Sequence, residues 1–235
     1  MTMSPDAAAP PDEPEGAVVA LFGQHEGQAR QFYRHLSTTA VTRGLIGPRE
    51  VPRLWQRHLL NCASVAELLA GGSTTVDVGS GAGLPGLAIA IARPDVSVTL
   101  IEPLQRRVNW LDEVIADLGL SNVDVLRARA EEVRGTVRVD AAMARAVAPL
   151  PLLAGWCLPL VKPGGRLLAV KGRTAGEELA ASVADLTRLG ATGWEITTCG
   201  NGVLAEPTRV VCVTAGSRAS SSRRRAGRGG RAVGT

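Results

Sequence analysis

Apolar residues change their spacing near residue 73. Before it they fall at helical intervals: Val18, Leu21 and Phe22, then Phe32 and Leu36, then, after a break over residues 44–48, Leu54, Trp55, Leu59 and Leu60. Beyond Gly71-Gly72, short apolar runs at 74–78, 97–101, 123–126, 139–143, 166–170, 194–198 and 210–214 read as strands. Helical stretches at 84–92, 105–118, 151–160 and 177–189 lie between most of them. This alternation predicts an α/β fold, a doubly wound, mostly parallel seven-stranded sheet with an N-terminal helical extension. The last two strands are joined across Gly200-Asn201-Gly202 with no helix between them, which predicts an antiparallel pair, and so an antiparallel strand, at one edge.

Composition sets the boundaries. Residues 1–16, rich in Pro, Ala and acids, and the Ser/Arg/Gly tail at 216–235 are expected to be disordered. Between them, 17–70 form the helical extension and 71–215 the sheet domain. Hydrophobic residues make up 45% of the chain and charged ones 20%, enough for a packed core, while aromatics at 3% leave that core to Ala, Val and Leu. The four cysteines, Cys62, Cys157, Cys199 and Cys212, have no C-x-x-C spacing and are expected as reduced, mostly buried thiols, with no metal site and no disulfide. No apolar run nears the roughly 18 residues that span a bilayer, and acids stand where a secretory signal needs bases. A cytoplasmic monomer without membrane contact is expected. The formal charge of +4 is a tail effect: without the six arginines of the tail the body stands at −2. Inside the body one basic stretch remains, where Arg30, Arg34, Arg43, Arg49, Arg53 and Arg57 face only Glu50 between residues 28 and 60.

The informative segment is Val76-Asp77-Val78-Gly79-Ser80-Gly81-Ala82-Gly83-Leu84-Pro85-Gly86, a buried strand running into a glycine-dense turn and then a helix. In an open parallel sheet ligands bind at that carboxyl-end crevice. Glycine lets backbone approach a ligand without a Cβ clash, and Pro85 suits the first turn of a helix. Residues 81–86 match the dinucleotide pattern G-x-G-x-x-G, while 77–83 give acid-x-Gly-x-Gly-x-Gly, which resembles the first motif of S-adenosylmethionine (SAM) dependent methyltransferases. Glu102 ends the second strand, where an acid can accept hydrogen bonds from ribose hydroxyls in either cofactor class. Ala130-Glu131 after the third strand and Lys162-Pro163-Gly164-Gly165 before the fifth resemble the methyltransferase arrangement, and tip the reading to SAM.

Several motifs recur in the order of one family: the Leu84-Pro85-Gly86 ending of the turn, Gln105-Arg106-Arg107-Val108 with Leu111, Ala130-Glu131-Glu132, Ala144-Arg145-Ala146 and Val170-Lys171-Gly172. This resembles the glucose-inhibited division protein B family, methyltransferases that modify guanine N7 in small-subunit (16S) ribosomal RNA. The resemblance covers roughly residues 58–214 and implies a Rossmann-like methyltransferase fold, SAM as cofactor, and ribosomal RNA or the small subunit as partner. It implies cofactor contacts at Gly79, Leu84, Ala130, Glu131 and Arg145, to which the motif chemistry adds Gly81 and Glu102. In the helical region only Arg57-His58-Leu59-Leu60 clearly matches; residues 37–42 depart from the family's Asn-Leu-Thr segment.

Guanine N7 carries no proton, so no catalytic general base is expected. His25, His35 and His58 all lie outside the sheet domain in sequence. Arg145 ends the fourth strand and Lys171 the fifth. Arg53, Arg57 and Lys171 are candidates for RNA phosphates, and Trp55 for stacking on a base, with Trp110 left to the core. Three alternatives stand: a methyltransferase acting on another RNA or a non-RNA substrate, a non-catalytic RNA-binding protein of the same fold, and an NAD-dependent reductase. The last would need a Tyr-x-x-x-Lys pair, and the single tyrosine is Tyr33.

Overall fold

The computed structural model describes residues 13–145 and 147–217. The N-terminal arm is helical: α1 (Glu15–Phe22), α2 (Glu26–Ser37) and the short α3 (Thr39–Thr42) lead into one continuous run. That run begins as 3-10 helix (Pro48–Arg53), widens to π-helix (Leu54–Leu60) and closes through α4 (Asn61–Ser64) and a 3-10 turn (Val65–Leu68). Helix α1 includes Glu15 and Gly16, so the disorder expected for 1–16 does not hold at its last two residues. Val18 and Phe22 are buried and Glu13 binds the Arg30 guanidinium at 2.7 Å, which pins the start of the chain to α2. Residues 1–12, and 218–235 of the tail, lie outside the described part.

The sheet strands are β1 (Thr74–Val78), β2 (Ser97–Ile101), β3 (Val123–Leu126), β4 (Val139–Arg145), β5 (Val161–Lys171), β6 (Ala191–Cys199) and β7 (Thr208–Ala215), in the order β3-β2-β1-β4-β5-β7-β6. The first five strands pair in parallel, and β7 is antiparallel to both β5 and β6. The expected antiparallel pair thus lies at one edge, with β6 outermost. Between strands run α5 (Gly86–Ala92), α6 (Gln105–Leu118), α7 (Leu150–Cys157) and α8 (Ala175–Arg188).

Strand alternation divides the core in two. Ala141, Met143, Leu168, Val210 and Cys212 face α5, α6 and the arm, while Ala142, Ala144, Leu167, Val211 and Val213 face α7 and α8. Helix α5 reads Gly-Leu-Ala-Ile-Ala-Ile-Ala and is buried from Gly86 to Ile91. A helix apolar all round must be covered all round. The sheet covers one side and α1, α2 and α4 the other, which is why the sheet domain needs its arm. Gln28, Gln31 and His35 bind Leu118 O and Asp117 at the end of α6, and Trp110 Nε1 donates to Thr39 Oγ1 at 3.0 Å.

The Lys-Pro-Gly-Gly turn lies inside β5 as a bulge: Val139 pairs with Val161 and Ala141 with Arg166, leaving residues 162–165 looped out. A Cβ on Gly165 would stand 2.5 Å from the Asp140 carbonyl oxygen. Gly165→Ala is therefore expected to destabilise the fold by about 1–3 kcal/mol in urea unfolding. Gly155→Ala, at a helical site in α7 with nothing within 4 Å of the new Cβ, should stabilise it by up to ~1 kcal/mol. Equal midpoints for the two variants would contradict the bulge geometry.

Candidate active site and nucleic-acid groove

The chain reverses its winding between β1 and β4, and the glycine loop sits there, at the carboxyl end of β1, the position where doubly wound sheets bind ligands. Gly79, Gly81 and Gly83 have φ of +75°, +57° and +75°, a region side chains rarely enter. Gly79 and Ser80 donate to Ile101 O at 2.9 and 3.2 Å, which fixes the loop to β2. A Cβ on Gly79 would meet Val147 at 3.1 Å, whereas one on Gly81 would meet nothing closer than 3.8 Å. Gly81 thus has room at its Cβ position that Gly79 lacks. Leu84 is buried beneath the loop, and Pro85 directly precedes α5.

Two buried carboxylates hold the loop. Asp77 Oδ2 accepts the Gly86 N–H at 2.9 Å, and its Oδ1 has no hydrogen-bond partner. Burial pushes this carboxyl up to about 7, against the opposing pull of the Gly86 N–H. Glu102, only 1% exposed, accepts the Gly81 N–H on Oε2 and the Leu104 N–H on Oε1, both at 3.0 Å, with Arg107 3.5 Å away. Arg107 Nη1 shares Oε2 with Gly81, and Oε1 keeps a lone pair for a further donor. Ala130 is buried in the core cluster that also holds Val76, Val78 and Ile101, while Glu131 next to it is exposed. Gly79, Gly81, Leu84, Glu102 and Ala130 thus gather around the ends of β1 to β3.

Strand alternation puts Arg145 on the arm's side of the sheet, with Ala141 and Met143. Its Nη1 reaches Cys62 Sγ at 3.0 Å and, more weakly, the carbonyls of Arg57 and His58 at 3.4 and 3.5 Å; its Nη2 meets His58 Nδ1. On the far side of the ring His58 Nε2 faces Glu50 Oε2 at 2.9 Å. The resemblance implied a cofactor contact for Arg145; its terminal nitrogens are directed at the arm. His58 and Glu50 had no assigned role in the sequence reading, since His58 lies 87 residues from Arg145. The one available signal was the Arg57-His58-Leu59-Leu60 match.

Between the arm and the ends of β5 and β7 opens a groove of about 800 Å³. Arg53, Arg57, Lys171, Arg173 and Arg209 line it, against one acid, Glu206. Arg53 and Arg57 are exposed, as RNA contacts must be. Lys171 lies half out of reach: alternation turns it to the α8 face, where Nζ binds Glu178 at 2.8 Å and Ala148 O at 3.1 Å, 13% exposed. Arg30 and Arg43 are engaged elsewhere, with Glu13 and Glu26 and with Glu113 respectively. Trp55 is corrected as a stacking platform. It is 2% exposed, and Tyr33 stacks on its ring at 4.9 Å and 8°. Trp110 is in the core as expected. All four cysteines are buried and free, no group of three or more His, Cys, Asp or Glu among the described residues could hold a metal, and no described helix is long and apolar enough to cross a membrane.

The strand order, the inserted antiparallel β7 and the glycine loop facing a strand-end acid define the Rossmann-like methyltransferase fold. A solved O-methyltransferase family protein from Burkholderia thailandensis shares it, with a TM-score of 0.50 at 13% identity over 85% of this chain and 62% of that one. The [4+2]-cyclase SpnF does too, with a TM-score of 0.50 at 20% identity over 67% and 81%; the fold therefore leaves the reaction open. Sequence is more specific. Residues 25–206 match the GidB family, described as rRNA small subunit methyltransferase G, and the chain belongs to that family. Ribosomal RNA small subunit methyltransferase G of Renibacterium salmoninarum is 52% identical over 86% of this chain and 94% of its own, and that of Salinispora tropica 53% identical over 87% and 88%.

Asp77 has a stability consequence. With its carboxyl near 7 in the fold and near 3.8 when free, the folded chain holds a proton across that window which the unfolded chain has lost. Stability then falls as pH rises through it. Asp77→Asn cannot ionise, so the drop in melting temperature between about pH 5 and pH 8 should shrink in the variant. An equal drop in both proteins would place the pH dependence on another group.

Proposed function

We propose that this chain transfers a methyl group from SAM to N7 of a guanine in 16S ribosomal RNA, on the small subunit or its RNA. The observation that carries the cofactor is the buried Glu102 carboxylate, at the end of β2, bound to the Gly81 amide of the glycine loop. Loop, carboxylate and neighbours fit SAM: Glu102 would accept the ribose hydroxyls, Gly79 and Gly81 would admit the methionyl part against backbone, and Leu84, Ala130 and Glu131 would border the adenine. When bound, the cofactor supplies an electrophilic methyl on a sulfonium. Everything else falls to the chain, which has to exclude water and hold the base in line with that methyl. N7 offers a lone pair and no proton, so no residue need act as a base.

The family's name supports ribosomal RNA as the substrate, and the groove supports a nucleic-acid strand. Arg53, Arg57 and Arg209, with Arg173 paired to the one acid Glu206, suit a phosphate chain that delivers a base across β4. Arg53 and Arg57 would track that chain. Lys171 holds the β4–α7 loop through Ala148 O and Glu178, and would act on RNA only through that loop.

The decisive experiment is incubation with labelled SAM and small subunits lacking the modification, followed by mapping of the label, which is expected on one guanine N7. Label on a different base atom, or on protein, would refute the substrate reading. Calorimetry should show SAM and S-adenosylhomocysteine binding, no NAD binding, and at least a tenfold loss of SAM affinity, about 1.4 kcal/mol, in Glu102→Ala. Arg53→Gln and Arg57→Gln should each lower the salt dependence of RNA binding by roughly one unit of log–log slope, with SAM affinity unchanged.

A further inference from the structure

We propose that His58 is a positioning residue that locks Arg145 beside the glycine loop, and that it does so only as the neutral ring with its proton on Nε2. The inference rests on the reading of the crevice as the methyl-transfer site. Its geometric part stands alone. A guanidinium has donors and no acceptor, so the His58 Nδ1 facing Arg145 Nη2 has to accept. The ring proton then sits on Nε2, which points at the Glu50 carboxylate, an acceptor, at 2.9 Å. One tautomer satisfies both neighbours, and the other satisfies neither.

The lock joins two separate parts of the chain. Glu50 lies in the 3-10 turn and His58 in the π-helix, while Arg145 ends β4. Val147, two residues on, covers Gly79 of the loop. The groove residue Arg57 is held by the same guanidinium through its carbonyl. Fixing Arg145 therefore fixes the wall between the groove and the loop. Single π-helical turns inside helices often mark functional sites, and this one carries both His58 and Arg57.

Protonation would break the lock, because an imidazolium would aim an N–H at a guanidinium. The groups around His58 decide when that occurs. On its own run lie Glu50, Arg53 and Arg57, from α4 comes the neutral Cys62 thiol, and from β4 comes Arg145, with Asp77 of β1 behind it. Burial and the nearby guanidiniums of Arg145 and Arg57 push the ring below its usual 6.5 against the pull of Glu50. The ring is neutral at neutral pH, and the lock opens as pH falls through that lowered value.

Two measurements test this. The histidine 15N spectrum of the protein alone should show His58, assigned by its loss in His58→Asn, as the Nε2–H tautomer at pH 7. A Nδ1–H tautomer or a charged ring at that pH would overturn the proposal, whether or not the small subunit proves to be the substrate. The second is single-turnover methylation of small subunits from about pH 5.5 to 8, with SAM and RNA saturating. The wild-type rate should be flat above the His58 value and fall about tenfold per pH unit well below it. Asparagine offers an acceptor near Nδ1 but does not titrate, so His58→Asn should stay within about threefold of wild type at pH 7.5 and lose the acid limb. His58→Phe, with no acceptor, should be slowed at least about tenfold at every pH with its melting curve still cooperative. If His58→Asn keeps the acid limb, the limb belongs to another group such as Asp77, and the proposal fails.

Discussion

Asp77 takes the amide of Gly86 and Glu102 takes that of Gly81, and the glycine loop hangs between these two bonds. A hydrogen bond of this kind is worth on the order of 1 kcal/mol net. At Gly81 the bond acts on backbone in the left-handed region, with φ of +57°, and at Gly86 on the first residue of α5. The arrangement carries its own cost in Asp77, whose second oxygen has no partner and whose carboxyl rises to about 7. Gly86 shows why the loop cannot relax around it: a Cβ there would meet Leu100 at 2.3 Å and Asp77 itself at 2.8 Å.

From this loop the other requirements follow outward. Its helix, α5, is too apolar to face water, so the arm must lie over it. The arm in turn ends in the π-helical run that meets Arg145, and its outer side becomes one wall of the cationic groove. The glycine loop, a brace and a cationic groove are thus consecutive consequences of covering one hydrophobic helix. Charge is distributed to match. Arg30 and Arg43 are paired with Glu13, Glu26 and Glu113, while Arg53 and Arg57 are left facing the groove.

Much of this was legible in the sequence, for local reasons. Strands β1, β2 and β3 and helix α6 fall on the residues their periodicity predicts, because each is bounded by glycine, proline or a polar turn. Gly119, in the left-handed conformation with φ of +63°, stops α6 where the pattern stops. The pattern of Lys-Pro-Gly-Gly predicts a turn before β5, but Val161 already pairs with Val139, and a bulge inside a strand has the same local chemistry as a turn. The loop glycines and Glu102 were legible because one tight turn and one strand end carry them. His58, Glu50 and the engagement of Lys171 were not, since each depends on a partner that only the sheet's winding brings near. Trp55 failed as a platform for a related reason: flanking arginines mark a face of the chain, and only packing shows that Tyr33 already covers the ring.

The central claim is that the loop and Glu102 are preformed for the ribose and methionyl parts of one cofactor. A crystal structure of the protein with S-adenosylhomocysteine tests it most directly. The account expects both ribose hydroxyls on the Glu102 carboxylate, the thioether beside Gly81, and loop backbone displaced by less than about 1 Å, as for a preorganised site. A nucleoside bound away from Glu102, or a loop refolded with the Asp77–Gly86 bond broken, would contradict it.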